Sequence, residues 1–235
     1  MDDALRHIEQ WIADDAREYV CITTVHGIME SRRDPALRQV MNSSGLTTPD
    51  GMPLVWLAHR AGHARVTRVY GPDLLLDASA LAAEKGYRFF FYGGAEGVPE
   101  ELAERLSARF PGLNVVGCLS PPYRALSPEE DEEIIRTINE AEPDIVWVGL
   151  STPKQEHWMV GHLGRVDAKV MVGVGAAFDF HSGRKKQAPA WMQRSGLEWL
   201  FRLAQEPRRL GRRYVVYNSQ FLYQLARRAL RRGST

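Results

Sequence analysis

Asp50 is a residue whose type and setting suit acid–base chemistry. It lies in the segment TPDGMP (48–53), between a predicted strand-and-helix region and an apolar helical pattern. A carboxylate that faces a cleft and reaches a hydroxyl can remove its proton while the hydroxyl attacks. A PDG triplet is most often only a turn, so the residue pattern by itself leaves both interpretations open.

A second polar segment, STPKQEHW (151–158), directly follows the apolar run DIVWVGL. Ser or Thr before Pro is typical of a helix N-cap, which predicts Lys154, Gln155 and Glu156 in the first turn of a helix. Backbone N–H groups at that position favour anions, and the Gln155 amide offers a donor and an acceptor. The alternative is a well-capped surface helix without a ligand.

Two glycine-rich segments follow predicted strands. In GGAEG (93–97), Gly93 and Gly94 can let backbone amides approach phosphates, although the pattern is neither GxGxxG nor a Walker motif. GVGAAF (173–178) lacks the third glycine and does not predict an NAD site. The sequence has no D-x-D, HExxH or GxSxG motif and no Cys/His cluster of ligand spacing, so we predict no metal and no cofactor. If a nucleotide diphosphate were to leave at this site, arginines and not a divalent metal would have to stabilise it.

The C-terminal region is strongly basic. Residues 184–235 contain thirteen Lys/Arg and two acids, a net charge of +11, and the rest of the chain is −10. This asymmetry suggests a polyanionic partner. Pro207 is expected to end or kink a helix, and apolar residues then recur at helical spacing among arginines: Tyr214, Tyr217, Phe221, Leu222 and Leu225. Such a helix can lie on an anionic membrane; the alternatives are a helix docked on its own domain and a nucleic-acid-binding tail.

The order of the predicted elements indicates the fold class. We place strands at 19–25, 87–92, 113–118, 144–150 and 169–174, a turn at 47–51, and helices at 3–19, 35–43, 54–61, 72–85, 99–110, 127–141 and 153–163. Apolar strands alternating with helices predict an α/β fold, a Rossmann-like parallel sheet with helices on both faces. We divide the chain into a catalytic domain, 1–195, and a basic amphipathic helical appendage, 196–235. Ligands in such folds bind beyond the carboxyl ends of the strands.

Targeting and membrane-spanning signals are not found in the sequence. The first twenty residues are acidic and amphipathic, unlike a signal peptide, and no run of about 18 apolar residues predicts a transmembrane helix. Cys21 and Cys118 are isolated, which favours buried thiols in a reducing cytosol.

Taken together, these segments resemble the WecG/TagA/CpsF family of bacterial glycosyltransferases, glycosyltransferase family 26. The similarity runs from about residue 19 to residue 214, and its motifs occur in the family's order. They are TPDGMPLVW (48–56), RVYGPDL (68–74), FFYGGAEGV (90–98), PPYR (121–124), GLSTPKQEHW (149–158), GVGAAFDFHSG (173–183) and APAWMQRSGLEWLFRLAQEPRRLGRRY (188–214).

The resemblance implies an activity and a location. Members transfer a sugar from a UDP-sugar to a polyprenyl-diphosphate-linked saccharide in the synthesis of teichoic-acid linkage units, capsule and exopolysaccharide. They invert the anomeric centre and resemble one another in requiring no metal. The resemblance further implies a cytoplasmic protein, peripheral on the inner face of the plasma membrane, whose C-terminal helix folds over the site there. Donor sugar, acceptor, linkage and oligomeric state, including a homo-oligomer, stay open.

The resemblance also assigns roles to residues. The proposed base falls on Asp50, the motif arginine on Arg68 and the glutamine of PKQE on Gln155. The arginines thought to meet the UDP diphosphate fall on Arg202, Arg209 and Arg212. From the polar segments at the strand ends we add, as substrate- or UDP-binding residues, Thr24, Gly93, Gly94, Tyr123, Lys154 and Glu156.

One motif departs from the family's pattern. Many members carry Thr-x-Asn at the end of the first strand, where this chain has Ile22-Thr23-Thr24. Thr24 can still hydrogen-bond a sugar or acceptor hydroxyl. We therefore leave open the sugar preference that the family motif carries.

Overall fold

The computed structural model describes residues 1–232, apart from the side chains of Arg213 and of residues 228–232. Its centre is a six-stranded sheet in which every pairing is parallel. The strands are β1 (Glu18–Thr23), β2 (Leu46–Pro49), β3 (Arg88–Gly93), β4 (Asn114–Leu119), β5 (Ile145–Gly149) and β6 (Val170–Gly173). They are arranged in the order β2-β1-β6-β5-β3-β4.

Helices connect the strands and cover both faces of the sheet. They are α1 (Asp2–Ala13), α2 (Val25–Arg33), α3 (Pro35–Ser43), α4 (Met52–Arg60), α5 (Gly71–Lys85), α6 (Val98–Arg109), α7 (Pro128–Glu140), α8 (Lys154–His162), α9 (Ala177–His181), α10 (Ala190–Arg194), α11 (Glu198–Gln205) and α12 (Pro207–Arg232). Along β1, Val20 and Ile22 join one buried apolar cluster, and Tyr19 and Cys21 join the other. Because alternate side chains of a strand point to opposite faces, a core lies on each side of the sheet. The predicted α/β fold is confirmed.

Local signals explain several helix boundaries. The Asp34 carboxylate accepts hydrogen bonds from the N–H groups of Ala36 and Leu37 at the start of α3, as an N-cap does. Ser127 and Glu130 form the predicted capping box at the start of α7. Helix α5 ends at Gly86, whose φ of 79° is the left-handed conformation that glycine adopts without strain.

Two elements near the first strand differ from the prediction. Strand β1 ends at Thr23, and Val25 already belongs to α2, a helix that the sequence pattern did not reveal. The segment predicted as a turn at 47–51 contains most of β2, which pairs with β1 from Val20↔Leu46 to Thr23↔Pro49. Pro49 is tolerated because β2 is an edge strand and the proline is its last residue.

The basic C-terminal helix docks on the body of the protein. Tyr217 donates a hydrogen bond to Glu30 of α2, and Arg33 donates to Gln220 at 2.7 Å. Phe221 is buried, whereas Leu222 from the same predicted stripe is 63% exposed. The apolar stripe is therefore divided between packing and solvent, as in the docked alternative. The predicted break at Pro207 is confirmed, since α11 ends just before it.

Within the part of the chain that the structure describes, no helix combines the length and the apolar character needed to cross a membrane. The proposed division at residue 195 stays a prediction.

Candidate functional site

A cleft of about 670 Å³ lies at the carboxyl ends of the strands. Every strand or the segment that follows it contributes to the lining, as expected for ligand sites of parallel α/β sheets. From β1 to β6, examples are Thr24, Asp50, Gly94, Tyr123, Gln155 and Gly175. Its volume is in the range of small-molecule sites.

Glycines end three adjacent strands at the cleft, and two of them, Gly149 and Gly173, belong to its lining. A Cβ atom at Gly93 would come within 2.7 Å of the Gly149 backbone, and one at Gly149 within 2.7 Å of the Phe178 ring. A Cβ atom at Gly173 would meet the Gln155 amide at 2.8 Å. Side chains at these positions would push the overlying groups away, so glycine is required by close approach.

Asp50 directly follows β2, and its carboxylate is half-buried in the cleft. The Asp50 N–H donates to the Thr23 carbonyl at 2.9 Å, and Oδ1 accepts from the Gly71 N–H at 3.1 Å. Burial raises the pKa of Asp50 to about 6, with further help from the charge of Glu198; Arg68, the Gly71 N–H and Arg202 oppose that rise. A carboxylate with this proton affinity is a better base than an ordinary aspartate and is still ionised at pH 7.

Arg68 lies behind Asp50 and does not line the cleft. Its Nε donates to the Asp50 backbone carbonyl, and its Nη2 donates to Glu198 Oε2 at 2.7 Å. The guanidinium lies 4.0 Å from the centre of the Tyr70 ring, and the Tyr70 hydroxyl donates to Glu198 Oε1 at 2.9 Å. Arg68 therefore supports the loop that contains Asp50 (the Asp50 loop) from outside the cleft lining, and its catalytic role stays a prediction.

Gln155 and Glu156 are both nearly inaccessible but have different surroundings. Gln155 contributes to the cleft lining, and its Nε2 donates to Glu156 Oε1 at 3.2 Å. Its Oε1 has no hydrogen-bond partner among the residues that the structure describes. Glu156 is fully buried, and its Oε1 also accepts from the Thr152 hydroxyl at 2.8 Å. Burial raises the pKa of Glu156. Glu156 lies outside the cleft lining and supports Gln155 from behind, and its predicted binding role stays a prediction.

The start of α8 differs from the N-cap that the sequence predicts. Thr152 does not cap α8, because Pro153 precedes the helix and no side chain caps its first turn. Lys154, Gln155 and Glu156 nevertheless occupy that first turn, as predicted.

Cationic side chains surround the mouth of the cleft. Lys154 Nζ lies 4.9 Å from the ring centre of the fully exposed Tyr123. Lys185 Nζ lies 2.6 Å from Asp179 Oδ2 and 3.2 Å from Glu206 Oε1. Further cations in the lining are Arg124, Arg202 and Arg209. Since anions bind where several cations converge, the mouth suits a phosphate-containing ligand.

Glu206 competes for two of these cations. It accepts from Arg209 Nε at 2.7 Å and pairs with Lys185. The hydrogen bond from Arg209 holds the pKa of Glu206 below its usual range. An anion entering the mouth must therefore share Lys185 and Arg209 with Glu206.

Thr24 lines the cleft together with Ile22. Its Oγ1 accepts from the Gly27 N–H at 3.4 Å, so Thr24 is also the N-cap of α2. The two residues that depart from the family motif thus both face the cleft.

The cleft brings together many, but not all, of the predicted site residues. Those in its lining are Thr24, Asp50, Gly94, Tyr123, Lys154, Gln155, Arg202 and Arg209. Those outside the lining are Arg68, Gly93, Glu156 and the exposed Arg212.

Sequence reasoning did not identify Lys185 or Glu198. Lys185 follows the motif GVGAAFDFHSG by two residues. Glu198 is one of only two acids in residues 184–235, and this rarity could have marked it as a site residue. Among the described residues, no group of three or more His, Cys, Asp or Glu side chains is arranged to hold a metal ion.

Comparisons with known proteins identify relatives of this chain. A Bacillus spizizenii relative, 31% identical over 207 residues, is an N-acetylglucosaminyldiphosphoundecaprenol N-acetyl-beta-D-mannosaminyltransferase; the match covers 88% of this chain and 79% of the relative. Proteins of the same name from Bacillus subtilis and Staphylococcus aureus are 30% and 27% identical. Those matches cover 74% and 82% of this chain and 66% and 73% of the respective relatives.

The profile of the glycosyl transferase WecG/TagA/CpsF family matches residues 1–235. A match over the whole chain, together with a relative at 31% identity, establishes membership. The chain therefore belongs to the WecG/TagA/CpsF family and is a glycosyltransferase.

Proposed function

We propose that the protein transfers a sugar from a UDP-sugar to a polyprenyl-diphosphate-linked saccharide, in the synthesis of a cell-surface polysaccharide. The observation that carries the proposal is the placement of a half-buried carboxylate, Asp50, in the same cleft as a ring of cations. The relatives are named for an acceptor of this class, N-acetylglucosaminyldiphosphoundecaprenol.

In the proposed reaction Asp50 is the general base. Its carboxylate takes the proton of an acceptor hydroxyl, whose oxygen forms a bond to the anomeric carbon of the donor sugar. The bond from that carbon to the diphosphate oxygen breaks on the opposite face, and UDP leaves with the electron pair. A single displacement of this kind inverts the anomeric configuration. The pKa of about 6 supports this role, because the carboxylate is then both ionised at pH 7 and unusually basic.

The cations at the mouth are proposed to stabilise the departing UDP. Arg202 and Arg209 line the cleft on the side of the appendage, and Lys154 and Lys185 extend from the α/β body. Converging cations neutralise the negative charge that develops on a leaving diphosphate. We propose that these residues make a divalent metal unnecessary and that the reaction uses no cofactor.

Gln155 is proposed to orient a bound sugar. Its amide nitrogen is committed to Glu156, so Oε1 is left to accept a hydrogen bond. A buried acceptor without a partner is costly unless a ligand or water satisfies it. A hydroxyl group of the substrate would do so.

The C-terminal helix is proposed to contact an anionic membrane from the cytoplasmic side. Its outward face combines apolar side chains, Val215, Leu222 and Tyr223, with exposed arginines, Arg208, Arg212 and Arg227. Such a combination favours the interface of a negatively charged bilayer. It would keep the cleft near a lipid-linked acceptor.

The experiment that tests the proposal is transfer from a panel of UDP-sugars to a polyprenyl-diphosphate-linked N-acetylglucosamine, with anionic vesicles present and with or without EDTA. We expect one or a few donors to give product of inverted configuration, at equal rates with EDTA. The loss of transfer in EDTA would refute metal independence. A failure of every donor, together with salt-sensitive binding of RNA, would favour the nucleic-acid alternative.

A further inference from the structure

Glu198 is an acidic residue placed at the junction between the appendage and the Asp50 loop. It is the first residue of α11, and its two carboxylate oxygens accept from two residues of one segment, Arg68 and Tyr70. The side chains of Arg68 and Glu198 are only 14% and 16% exposed. Removing either partner of a largely buried ion pair leaves an uncompensated charge, so separating Glu198 from Arg68 is costly.

The segment that Glu198 contacts is tied to the Asp50 loop at several points. Val69 N–H donates to the Pro49 carbonyl at 2.9 Å, and Gly71 N–H donates to the Asp50 carboxylate at 3.1 Å. Arg68 donates to the Asp50 backbone carbonyl. Residues 68–71 and the end of β2 are therefore one hydrogen-bonded unit, and α11 attaches to that unit through Glu198.

The same helix faces the cleft one turn later. Arg202 follows Glu198 by four residues, which places the two side chains on the same side of α11. The ionisable groups facing Asp50 among the described residues are Arg68 and Tyr70 from the segment before α5, and Glu198 and Arg202 from α11. Of these, Glu198 contributes the negative charge that balances Arg68.

We infer that Glu198 is a positioning residue: by binding Arg68 and Tyr70 it docks α11, places a second negative charge beside Asp50, and directs Arg202 to the cleft. This inference rests on the proposed function for its catalytic meaning. The docked helix α11 then strengthens the base as well, because Glu198 raises the pKa of Asp50 more than Arg202 lowers it.

The substitution Glu198→Gln separates charge from shape, since the amide oxygen can still accept a hydrogen bond at nearly the same place. We expect the ionisation midpoint of Asp50 to fall, because Arg68 and Arg202 remain as positive neighbours without a balancing anion. The midpoint is measured by carbon NMR of labelled aspartate carboxyls, with Asp50→Asn for assignment. The acidic limb of kcat/KM should move to lower pH in parallel, and kcat at pH 7.5 should fall roughly tenfold as the base weakens.

Glu198→Asp serves as the conservative variant, and it carries the test if Glu198→Gln does not fold. It keeps the charge but withdraws it by one methylene, so the Asp50 midpoint should lie between those of the wild type and Glu198→Gln. Glu104→Gln, an exposed acid on α6, is the matched control and should leave the midpoint and kcat unchanged.

An unchanged Asp50 midpoint in a folded Glu198 variant overturns the inference, even where activity is lost, because a purely structural role would then suffice. The NMR measurement does not depend on turnover. If the wild type transfers no sugar but the midpoint still moves in the variants, the proposed function fails and the inference about Glu198 stands.

Discussion

The Thr152 hydroxyl donates a 2.8 Å hydrogen bond to the fully buried carboxylate of Glu156. That carboxylate also accepts a hydrogen bond from the Gln155 amide. One buried acceptor therefore joins the loop after β5 to the first turn of α8. These two hydrogen bonds fix the positions of Thr152 and Gln155 in the cleft lining. Neighbouring residues of a single motif consequently have different tasks, one facing the ligand space and the other supporting it.

Removing that support should cost both stability and activity. Thr152→Val deletes the hydroxyl with little change in volume and leaves the buried Glu156 with one donor fewer. We expect the free energy of unfolding to fall by about 1–3 kcal/mol and kcat to fall because the Gln155 amide is less well held. Urea denaturation and initial rates measure the two effects. The control is Thr137→Val on α7, where the hydroxyl bonds to a backbone carbonyl, and a change of about 0.5 kcal/mol or less is expected there.

Asp50→Asn should abolish transfer without preventing nucleotide binding. The amide cannot take the acceptor proton, and general bases contribute about 10²–10⁴ in rate. We expect a loss of that size in kcat, with UDP affinity within about threefold of the wild type, whereas Asp2→Asn, exposed on α1, should behave as the wild type. Turnover above one tenth of the wild-type value would exclude Asp50 as the base.

The raised pKa of Asp50 predicts opposite effects of pH on activity and stability. Activity should fall as pH drops below about 6, because the base becomes protonated. The folded state holds this proton more tightly than the unfolded chain, whose aspartates have a pKa of about 4. Asp50 therefore lowers stability at neutral pH, and this penalty disappears as pH falls from about 6 to 4.

Thermal unfolding of Asp50→Asn checks the stability side of this prediction. The variant should have a higher Tm than the wild type at pH 7.5, and the difference should shrink at pH 5. A Tm difference that is equal at both pH values would show that burial does not shift the ionisation of Asp50.

The cations of the cleft mouth should differ in their effect on UDP affinity. Lys185→Gln and Arg202→Gln each remove a charge that lines the cleft, and we expect UDP binding to weaken by roughly tenfold in each. Arg212→Gln removes an exposed charge outside the lining and should weaken it by less than about threefold. Calorimetry at two salt concentrations measures these affinities. An equal loss for Arg212→Gln would mean that α12 moves when the ligand binds.

Two adjacent residues of α12 should have separable roles. Phe221 is buried and Leu222 is 63% exposed, so Phe221→Ala should lower the free energy of unfolding by about 3 kcal/mol and Leu222→Ala by less than about 0.5 kcal/mol. Leu222→Asp should instead reduce sedimentation with anionic vesicles. If Leu222→Asp binds vesicles as well as the wild type does, the outward face of α12 is not the membrane contact.

The sequence predicts the sheet better than it predicts the site. The runs that form β3, β5 and β6 are uninterrupted and apolar, so their burial follows from composition. Strand β2 was missed because Thr47 and Thr48 run directly into the turn triplet that begins at Pro49, and only pairing with β1 makes these residues a strand. Helix α2 was missed because its start depends on Thr24 as an N-cap inside a β-rich run.

The supporting residues of the site depend on contacts that sequence spacing does not encode. Arg68 and Glu198 are 130 positions apart, and only the folded appendage brings them together. Gln155 and Glu156 are adjacent, but successive residues of a helix are rotated by about 100°. Gln155 therefore faces the cleft while the Glu156 side chain points into the core. Residue types that could do chemistry were thus recognised more readily than the residues that hold them.

The glycines at the three strand ends have a consequence for how this enzyme can change in evolution. Gly93, Gly149 and Gly173 cannot acquire side chains without displacing the groups next to them. Under the proposed function, changes of sugar preference are therefore expected at lining residues that carry side chains. Ile22 and Thr24, which depart from the family motif and line the cleft, are two such residues.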